Sequence, residues 1–307
     1  MVINGVINIY KEKGYTSHDV VAKLRGILRQ KKIGHTGTLD PDAEGVLPVC
    51  LGRATKLCDL LTDKRKTYEA VLRLGITTDT QDMTGTVLEK REVTAAPSEV
   101  SSCIQGFLGE QRQIPPMYSA LKVNGRKLYE LAREGKEIER KPRRVEFFSI
   151  DILEMDLPFV RFTVTCSKGT YIRTLCHDIG QELGCGGCMQ CLLRTRVERF
   201  GVEDALRLSE VEKAVEEGTV LSHVVTIEQM FSEYGEVHAP ARFDKMLRNG
   251  NAVPAEDEME DGTRVRMYDS GQRFIGLYEF EEKKKQFRLI TMFCTPEDFA
   301  ESRKETP

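Results

Sequence analysis

The sequence predicts an α+β fold, with a mostly antiparallel mixed sheet flanked by helices and a small β domain at the C-terminal end. Alternating strands and amphipathic helices follow one another without a regular βαβ repeat. The chain has 307 residues, more than the roughly 250 at which a single core stops growing. After about Ser232 it changes to short strands and turns such as TRVRMY and RFIGLYEF. We therefore expect a large domain at 1–232, a small β domain at 233–297 and a frayed tail at 298–307.

The first amphipathic helix is predicted within TSHDVVAKLRGILRQKK. Thr16 and Asp19 have the spacing of a capping box at its start. Val20 and Leu24 begin an apolar stripe that repeats at helical spacing. This pattern indicates a helix that packs one face on the core.

Two later segments predict strands of the sheet. TYEAVLRLGI alternates, which places Tyr68 on one side of a strand and Glu69 on the other. FVRFTVTCSKGTYIRTLCHDIGQELG reads as a strand, a turn at its Lys-Gly pair and a helix that ends at Gly184. Tyr171 and Arg173 fall at this strand-to-helix junction, where functional side chains are often presented.

Composition and charge exclude several classes of protein. The net charge of −3 argues against a globally basic coat for nucleic acid, but nine basic residues face four acids between Lys122 and Arg144. No apolar run approaches the roughly 20 residues of a membrane span, and the first residues lack the features of a secretory signal. The nine cysteines are an odd number without disulfide-framework spacing, so we expect reduced thiols in a cytoplasmic protein.

The stretch GHTGTLDPDAEGVLPV, residues 34–49, places three acids among glycines and prolines. Pro41 fixes φ directly after Asp40, so this loop can hold one carboxylate in a defined pose. A positioned carboxylate can act as a nucleophile or a general base. An Asp-Pro pair also commonly forms a turn in which the carboxylate only binds backbone amides, and the loop by itself leaves that alternative open.

The longer stretch KIGHTGTLDPDAEGVLPVCLGRATK closely resembles the catalytic motif of the bacterial TruB-type tRNA pseudouridine synthases. The resemblance continues in order through YKEKGYTSHDVV, KTYEAVLRLGITTDTQDMTG, IPPMYSALKVNGRKLYELAREG, CSKGTYIRTLCHDIGQELG and LLRTRVERF, and covers nearly the whole chain. It implies a pseudouridine synthase fold with a C-terminal domain similar to the RNA-binding PUA fold. Glu12 stands where the family usually has a proline, which leaves the effect on the local turn open.

The resemblance also implies the catalytic residues. Asp40 corresponds to the essential aspartate, and Arg173 to the arginine that pairs with it. Tyr68 corresponds to the tyrosine that stacks on the flipped uracil, although a strand tyrosine is otherwise more often part of the core. The implied reaction converts the T-arm uridine at position 55 of tRNA to pseudouridine without a cofactor.

Three further residues are implied to contact the substrate. His35 matches a histidine that stacks near the flipped nucleotide, Tyr171 a tyrosine beside the catalytic aspartate, and Leu192 a leucine that lines the uracil site. A purely structural His35 in a glycine-rich loop remains an alternative. Leucine is far more often a core residue than a ligand contact, so for Leu192 the same alternative stands.

A basic insertion at about 115–147 resembles the thumb-like segment that closes on the T-loop of tRNA. Its expected phosphate contacts are Lys122, Arg126, Arg140, Lys141, Arg143 and Arg144. Basic segments are more often solvated faces than binding sites, but this one is unusually dense in charge.

CGGCMQC, with Cys176 and His177 nearby, has the C-x-x-C spacing of a zinc site. A second, distant pair of ligands is missing, and the matching family segment is helical and metal-free. We therefore expect a helix and no metal at this segment.

Two other classes of function remain as alternatives to the synthase. One is a non-catalytic RNA-binding protein that keeps the scaffold, which the intact set of Asp40, Tyr68 and Arg173 disfavours. The other is a carboxylate-dependent hydrolase, which would release free uracil. The expected partner is tRNA through its T-arm stem-loop, with no membrane and no obligatory protein partner.

Overall fold

The computed structural model describes residues 2–62, 65–295 and 298–299. The strands are β1 (Gly5–Lys11), β2 (Ile33–His35), β3 (Glu44–Leu51), β4 (Lys66–Leu74), β5 (Ile76–Thr78), β6 (Val87–Lys90), β7 (Gly109–Gln113), β8 (Lys122–Val123), β9 (Arg126–Lys127), β10 (Arg143–Asp156), β11 (Phe159–Cys166), β12 (Gly187–Val197), β13 (Phe200–Gly201), β14 (Val224–Thr226), β15 (Gly235–His238), β16 (Val253–Pro254), β17 (Arg264–Tyr268), β18 (Phe274–Glu281) and β19 (Gln286–Met292). The α-helices are α1 (Ser17–Ile27), α2 (Cys58–Thr62), α3 (Pro97–Gly106), α4 (Leu128–Arg133), α5 (Ile172–Glu182), α6 (Leu208–Glu216) and α7 (Asp244–Arg248).

Ten strands of the described residues form one sheet, in the order β14-β1-β3-β12-β4-β11-β10-β7, with β2 joined to β3 and β13 to β12. The pair β3–β12 is parallel, and the other pairs of this sheet are antiparallel. This confirms the predicted α+β fold with a mostly antiparallel mixed sheet.

Helix α1 begins as the sequence predicts. The side chain of Thr16 accepts a hydrogen bond from the Asp19 N–H at 3.1 Å, and the Asp19 carboxylate accepts one from the Thr16 N–H at 2.8 Å. The buried face of α1, with Val20 and Leu24, packs on β1 and β3 together with α6. This packing holds the N-terminal end of α1 beside the loop that follows β2.

Helix α5 packs on the other half of the sheet. Strand β4 alternates strictly between buried and half-buried residues, as predicted, and turns Tyr68 and Leu72 toward this core. Ile172, Leu175 and Ile179 form the buried stripe of α5. The first turn of α5 is thereby fixed above the middle of the sheet.

The helix predicted at CGGCMQC is wrong, because this segment enters β12. Gly184 and Gly186 adopt φ values of +71° and +77°, which end α5 and reverse the chain. From Gly187 the backbone pairs with β4 instead, where Gly187 lies opposite Leu74. Pairing in the centre of the sheet therefore sets the conformation of this segment.

The C-terminal β domain contains the five-stranded sheet β15-β17-β18-β19-β16, within the described residues. Its Leu277 and Phe293 lie in one buried cluster with Val6, Cys50 and Phe231 of the preceding region. The two sheets therefore share a hydrophobic core across the expected boundary at residue 232. Most of the expected tail, residues 300–307, lies outside the described residues; Asp298 forms a bidentate ion pair with Arg53 at 2.6 and 2.7 Å.

Candidate active site

Residues 36–43, here called the aspartate loop, join β2 to β3 and present Asp40 to the first turn of α5. Arg173 in that turn binds both carboxylate oxygens, with Nε 2.9 Å from Oδ2 and Nη2 3.2 Å from Oδ1. The side chain of Asp40 is 40% exposed and that of Arg173 is 5% exposed. The ion pair implied by the family resemblance is therefore present, with the carboxylate partly exposed to solvent and the arginine beneath the surface.

Backbone carbonyls fix the guanidinium of Arg173 as well. Nη1 donates to the carbonyl of Thr80 at 3.0 Å, and Nη2 donates to the carbonyl of Tyr118 at 2.8 Å. Thr80 lies between β5 and β6, and Tyr118 lies in the basic insertion, so separate segments meet on one arginine. Because the guanidinium is a rigid plane of donors, these contacts hold it in one orientation.

Asp82 is a second carboxylate at this site, with Oδ2 3.7 Å from Nε of Arg173. Its Oδ1 accepts hydrogen bonds from the hydroxyls of Thr80 and Thr84 at 2.7 and 2.6 Å. Asp82 is not among the site residues predicted from the sequence. The available signal was TTDTQDMTG, because Thr and Asp at turn spacing predict a carboxylate held by neighbouring hydroxyls.

The pKa of Asp40 is raised above its ordinary value, chiefly by burial and further by the charge of Asp82, while Arg173 and Lys11 oppose the rise. The exposed fraction of the side chain shows that water still reaches one side of the carboxylate. Such a group is protonated at a higher pH than a free aspartate, and the arginine limits this effect.

Lys11 fixes the backbone next to Asp40. Its fully buried ammonium group donates to the carbonyls of Pro41, Tyr15 and Glu12, at 3.0, 2.6 and 3.1 Å. Burial lowers the pKa of Lys11 to about 8. Lys11 is not among the residues predicted for the site; the signal was a lysine at strand period two after the buried Ile7 and Ile9.

A turn forms after β1, although Glu12 stands where the family described above usually has a proline. The N–H of Tyr15 donates to the carbonyl of Glu12 at 3.5 Å, and Gly14 takes a φ of +89°. The Glu12 carboxylate pairs with Arg207 at 2.5 Å. This ion pair links Glu12 to the N-cap residue of α6.

Tyr68 and Leu192 lie on the adjacent strands β4 and β12, 7% and 8% exposed. They belong to the same buried cluster as Leu39, the residue before Asp40. Burial raises the pKa of Tyr68 to about 12, so its phenol is protonated at neutral pH. These side chains form an apolar floor next to the carboxylate.

His35 ends β2 and Tyr171 caps the N-terminal end of α5, so the two residues flank the segments that carry Asp40 and Arg173 in the sequence. The imidazole of His35 lies edge-on to that of His18, with ring centroids 5.4 Å apart, and burial lowers its pKa to about 4. It is therefore neutral at neutral pH. Tyr171 precedes α5, and the Gln113 side chain binds its backbone N–H and carbonyl at 3.0 and 3.1 Å.

The six basic residues expected to contact phosphate fall into two groups of three. One group forms ion pairs: Arg126 with Glu134, the half-buried Arg140 with Glu137 and Arg144 with Glu110. The other group is exposed and has no ion-pair partner in the part of the chain that the structure describes: Lys122, Lys141 and Arg143. The insertion has its own small core, formed by Met117, Leu128 and Leu131.

Cys185, Cys188 and Cys191 do not converge on one point. The Cys185 thiol donates to the Gly186 carbonyl, the Cys188 sulfur lies 3.5 Å from that of Met83, and Cys191 is exposed. Among the described residues, no group of three His, Cys, Asp or Glu side chains is arranged to hold a metal ion. None of the helices in this part of the chain is long and apolar enough to cross a membrane.

Solved structures with the same fold define the class of this protein. A chain of a Cbf5-Nop10-Gar1 complex is similar, with a TM-score of 0.71 and 27% identity, over 95% of this chain and 86% of that one. A chain of an H/ACA RNP bound to a substrate RNA containing 2'-deoxyuridine matches with a TM-score of 0.69 and 26% identity, over 95% and 85% of the two chains. The chain therefore has the fold of the pseudouridine synthases, and the arginine-paired aspartate lies on the loop between β2 and β3 of this fold.

The chain belongs to the TruB family of pseudouridylate synthases. The profile of the N-terminal domain of that family matches residues 25–172, and the profile of the tRNA pseudouridylate synthase B C-terminal domain matches residues 173–231. The tRNA pseudouridine synthase B of Lachnoclostridium phytofermentans is 54% identical, over 95% of this chain and 100% of its own length. That of Clostridium kluyveri is 45% identical over the same shares. The family predicted from the sequence motifs is confirmed, and the chain is an isomerase.

Proposed function

We propose that this enzyme converts the uridine at position 55 in the T-arm of tRNA to pseudouridine in the cytoplasm, with Asp40 as the catalytic residue and no cofactor. The relatives that match over nearly the whole chain are named tRNA pseudouridine synthase B. The observation that carries the proposal is the bidentate pair of Asp40 with the buried Arg173, at the edge of an apolar floor.

The chemistry fits this arrangement. The bond from ribose C1′ to uracil N1 breaks and a bond from C1′ to C5 forms, while the proton on C5 is lost and N1 gains one, so no electrons are exchanged with a cofactor. Asp40 supplies the nucleophile or base, and Arg173 opposes its protonation. Flipping the nucleotide out of the T-loop costs a few kcal/mol, and stacking on Tyr68 returns roughly 1–3 kcal/mol.

Binding is assigned to the residues around Asp40 and to the basic insertion. His35, Tyr171 and Leu192 contact the flipped nucleotide, and the basic insertion at about 115–147 binds phosphates of the T-arm. Residues 1–232 form the catalytic domain, and residues 233–297 form a PUA-like domain that adds RNA contacts.

The test is to incubate an in vitro transcribed tRNA with the protein and to map pseudouridine at every position. Pseudouridine at position 55 alone is the expected result. Release of free uracil with an abasic site would instead identify a hydrolase. Tight binding with no change in any uridine would identify a non-catalytic RNA-binding protein.

A further inference from the structure

Arg194, on β12, is the largest fully buried side chain of the described residues, at 1% exposure. Removing a guanidinium from water is costly unless its charge and its donors are satisfied. In the part of the chain that the structure describes, no carboxylate pairs with Arg194, whereas Arg173 has two. A buried cation without an acidic partner calls for an explanation other than an ion pair.

The hydrogen bonds of Arg194 join the two ends of the aspartate loop. Its Nη2 donates to the carbonyl of Gly37 at 3.2 Å, and its Nε donates to the carbonyl of Val46 at 2.7 Å. Gly37 is the second residue of the loop, and Val46 lies three residues beyond its end. The guanidinium of Arg194 therefore bridges Gly37 and Val46. We call these two backbone positions, on either side of Asp40, the neck of the aspartate loop.

The backbone of Arg194 holds the same neck. Arg194 pairs in parallel with Gly45, and a Cβ at Gly45 would lie 2.3 Å from the Arg194 carbonyl oxygen. Gly45 also has a φ of +102°, which side-chain-bearing residues rarely adopt. The close approach of β12 to the loop thus requires a glycine, and it places the guanidinium directly under the neck.

Arg194 also interacts with Tyr68. Its charge and hydrogen-bonding groups lower the pKa of the phenol, against the stronger effect of burial. Because a guanidinium can only donate hydrogen bonds, it leaves the phenolic hydrogen free for another acceptor. The same arginine therefore influences the loop and the floor of the site.

We propose that Arg194 is a positioning residue that closes the neck of the aspartate loop and thereby sets the place of Asp40 relative to Tyr68 and Arg173. This inference rests on the proposed function of Asp40. Arg173 holds the carboxylate from α5, and Arg194 holds the backbone from β12. Lysine cannot replace it, because one ammonium group lacks the planar fork that reaches two separate carbonyls.

The experiment compares Arg194→Lys with Arg196→Lys, which makes the same change at an exposed position of β12 paired with Glu203. Single-turnover rates and tRNA affinity are measured on a full-length tRNA transcript. We expect Arg194→Lys to lower the rate about 100-fold, the effect of roughly 1 Å of misplacement, with affinity changed less than about threefold. Arg196→Lys should match the wild type in both quantities.

Two more variants separate positioning from folding. Arg194→Gln keeps a donor for one carbonyl and should lose rate as Arg194→Lys does, with a cooperative thermal transition retained. In a Tyr68→Phe background, Arg194→Lys should cost less than in the wild type, because part of its effect passes through the phenol. Full additivity would limit the role of Arg194 to the loop and overturn the link to Tyr68.

A folded Arg194→Lys or Arg194→Gln with a rate within about threefold of the wild type would overturn the inference. Failure of both variants to fold would also overturn it, because the role would then be structural. If the wild type forms no pseudouridine at position 55, the proposed function itself fails, whatever the variants do.

Discussion

The aspartate site and the basic insertion both contain arginines, but the arginines differ in burial and in their partners. Arg173 and Arg194 at the site are 4% and 1% exposed, and each has fixed carbonyl or carboxylate partners. Arg126 and Arg144 in the insertion have side chains 47% and 74% exposed, each paired with a surface glutamate. Breaking a buried pair costs about 3–5 kcal/mol, whereas an exposed pair contributes about 0–1 kcal/mol. Buried arginines therefore fix geometry, whereas the exposed pairs cost little to break, as the proposed binding of RNA phosphates requires.

The largest effect that this comparison predicts is at Arg173. Arg173→Met leaves Asp40 beside Asp82 without its ion-pair partner, so the single-turnover rate should fall at least about 100-fold. Arg161→Met is the control, because Arg161 is exposed and pairs on the surface with Glu69 and Glu154. It should retain nearly the full rate.

The pH dependence of Arg173→Met sharpens this prediction. Arg173 lowers the pKa of Asp40, so its removal raises that pKa further and leaves less carboxylate at neutral pH. The residual rate should therefore rise as pH increases from 6 to 9. A variant as active as the wild type at neutral pH would show that the buried pair is not needed.

The unpaired cations of the insertion should affect binding and not chemistry. Lys141→Ala combined with Arg143→Ala should raise KM about tenfold and leave the saturated rate unchanged, because phosphate contacts are made equally in substrate and transition state. The slope of log affinity against log salt should fall by about 1.5. Lys90→Ala with Lys213→Ala, exposed positions outside the insertion, is the matched control. A large fall in the saturated rate would contradict the assignment of binding to the insertion and of chemistry to the aspartate site.

A variant of Glu134 is expected to strengthen tRNA binding, by less than the preceding double variant weakens it. Arg126 and Lys136 pair with this carboxylate and lower its pKa to about 2, and the proposed phosphate contact of Arg126 requires this pairing to be given up. Glu134→Gln should strengthen tRNA binding about two- to fivefold in a filter-binding or fluorescence titration. Glu139→Gln removes the same charge from an exposed position without an ion-pair partner among the described residues, and it should have less effect. Equal gains in tRNA affinity from both changes would show that only the net charge of the insertion affects binding.

The smallest effect is predicted for the pH profile of a His35 variant. The pKa of His35 is about 4, so the ring does not titrate between pH 6 and 8. His35→Phe keeps an aromatic ring for stacking, and its rate profile over that range should have the shape of the wild-type profile. Loss of an inflection near pH 6.5 in the variant would assign His35 a role in proton transfer.

Local pattern predicted much of the fold. The capping box at Thr16 and the strict alternation around Tyr68 correctly gave the start of α1 and the orientation of β4. Periodicity could not predict that CGGCMQC would form a strand, because pairing with β4 is a tertiary contact. The change to short strands and turns near Ser232 falls just before β15. The core shared through Leu277 and Phe293 could not be predicted, because it joins residues far apart in the chain.

For the site, residue type and spacing made Asp40 a candidate, and only the family resemblance selected Arg173 as its partner. The two are 133 positions apart in the chain. Arg194 did leave a signal, since it follows Leu192 at strand period two and so points inward. A charged residue at an inward strand position is the pattern that would have found it.

The central claim is that one carboxylate of the aspartate loop carries the isomerisation of position 55. Its most direct test compares Asp40→Asn with Asp42→Asn, which makes the same change two residues away at an exposed position. Pseudouridine at position 55 is mapped after incubation with a tRNA that both variants bind. Asp40→Asn should bind tRNA but form no more than about 1% of the wild-type product, while Asp42→Asn forms most of it. Product from Asp40→Asn above a few per cent, or equal loss in both variants, would contradict the account.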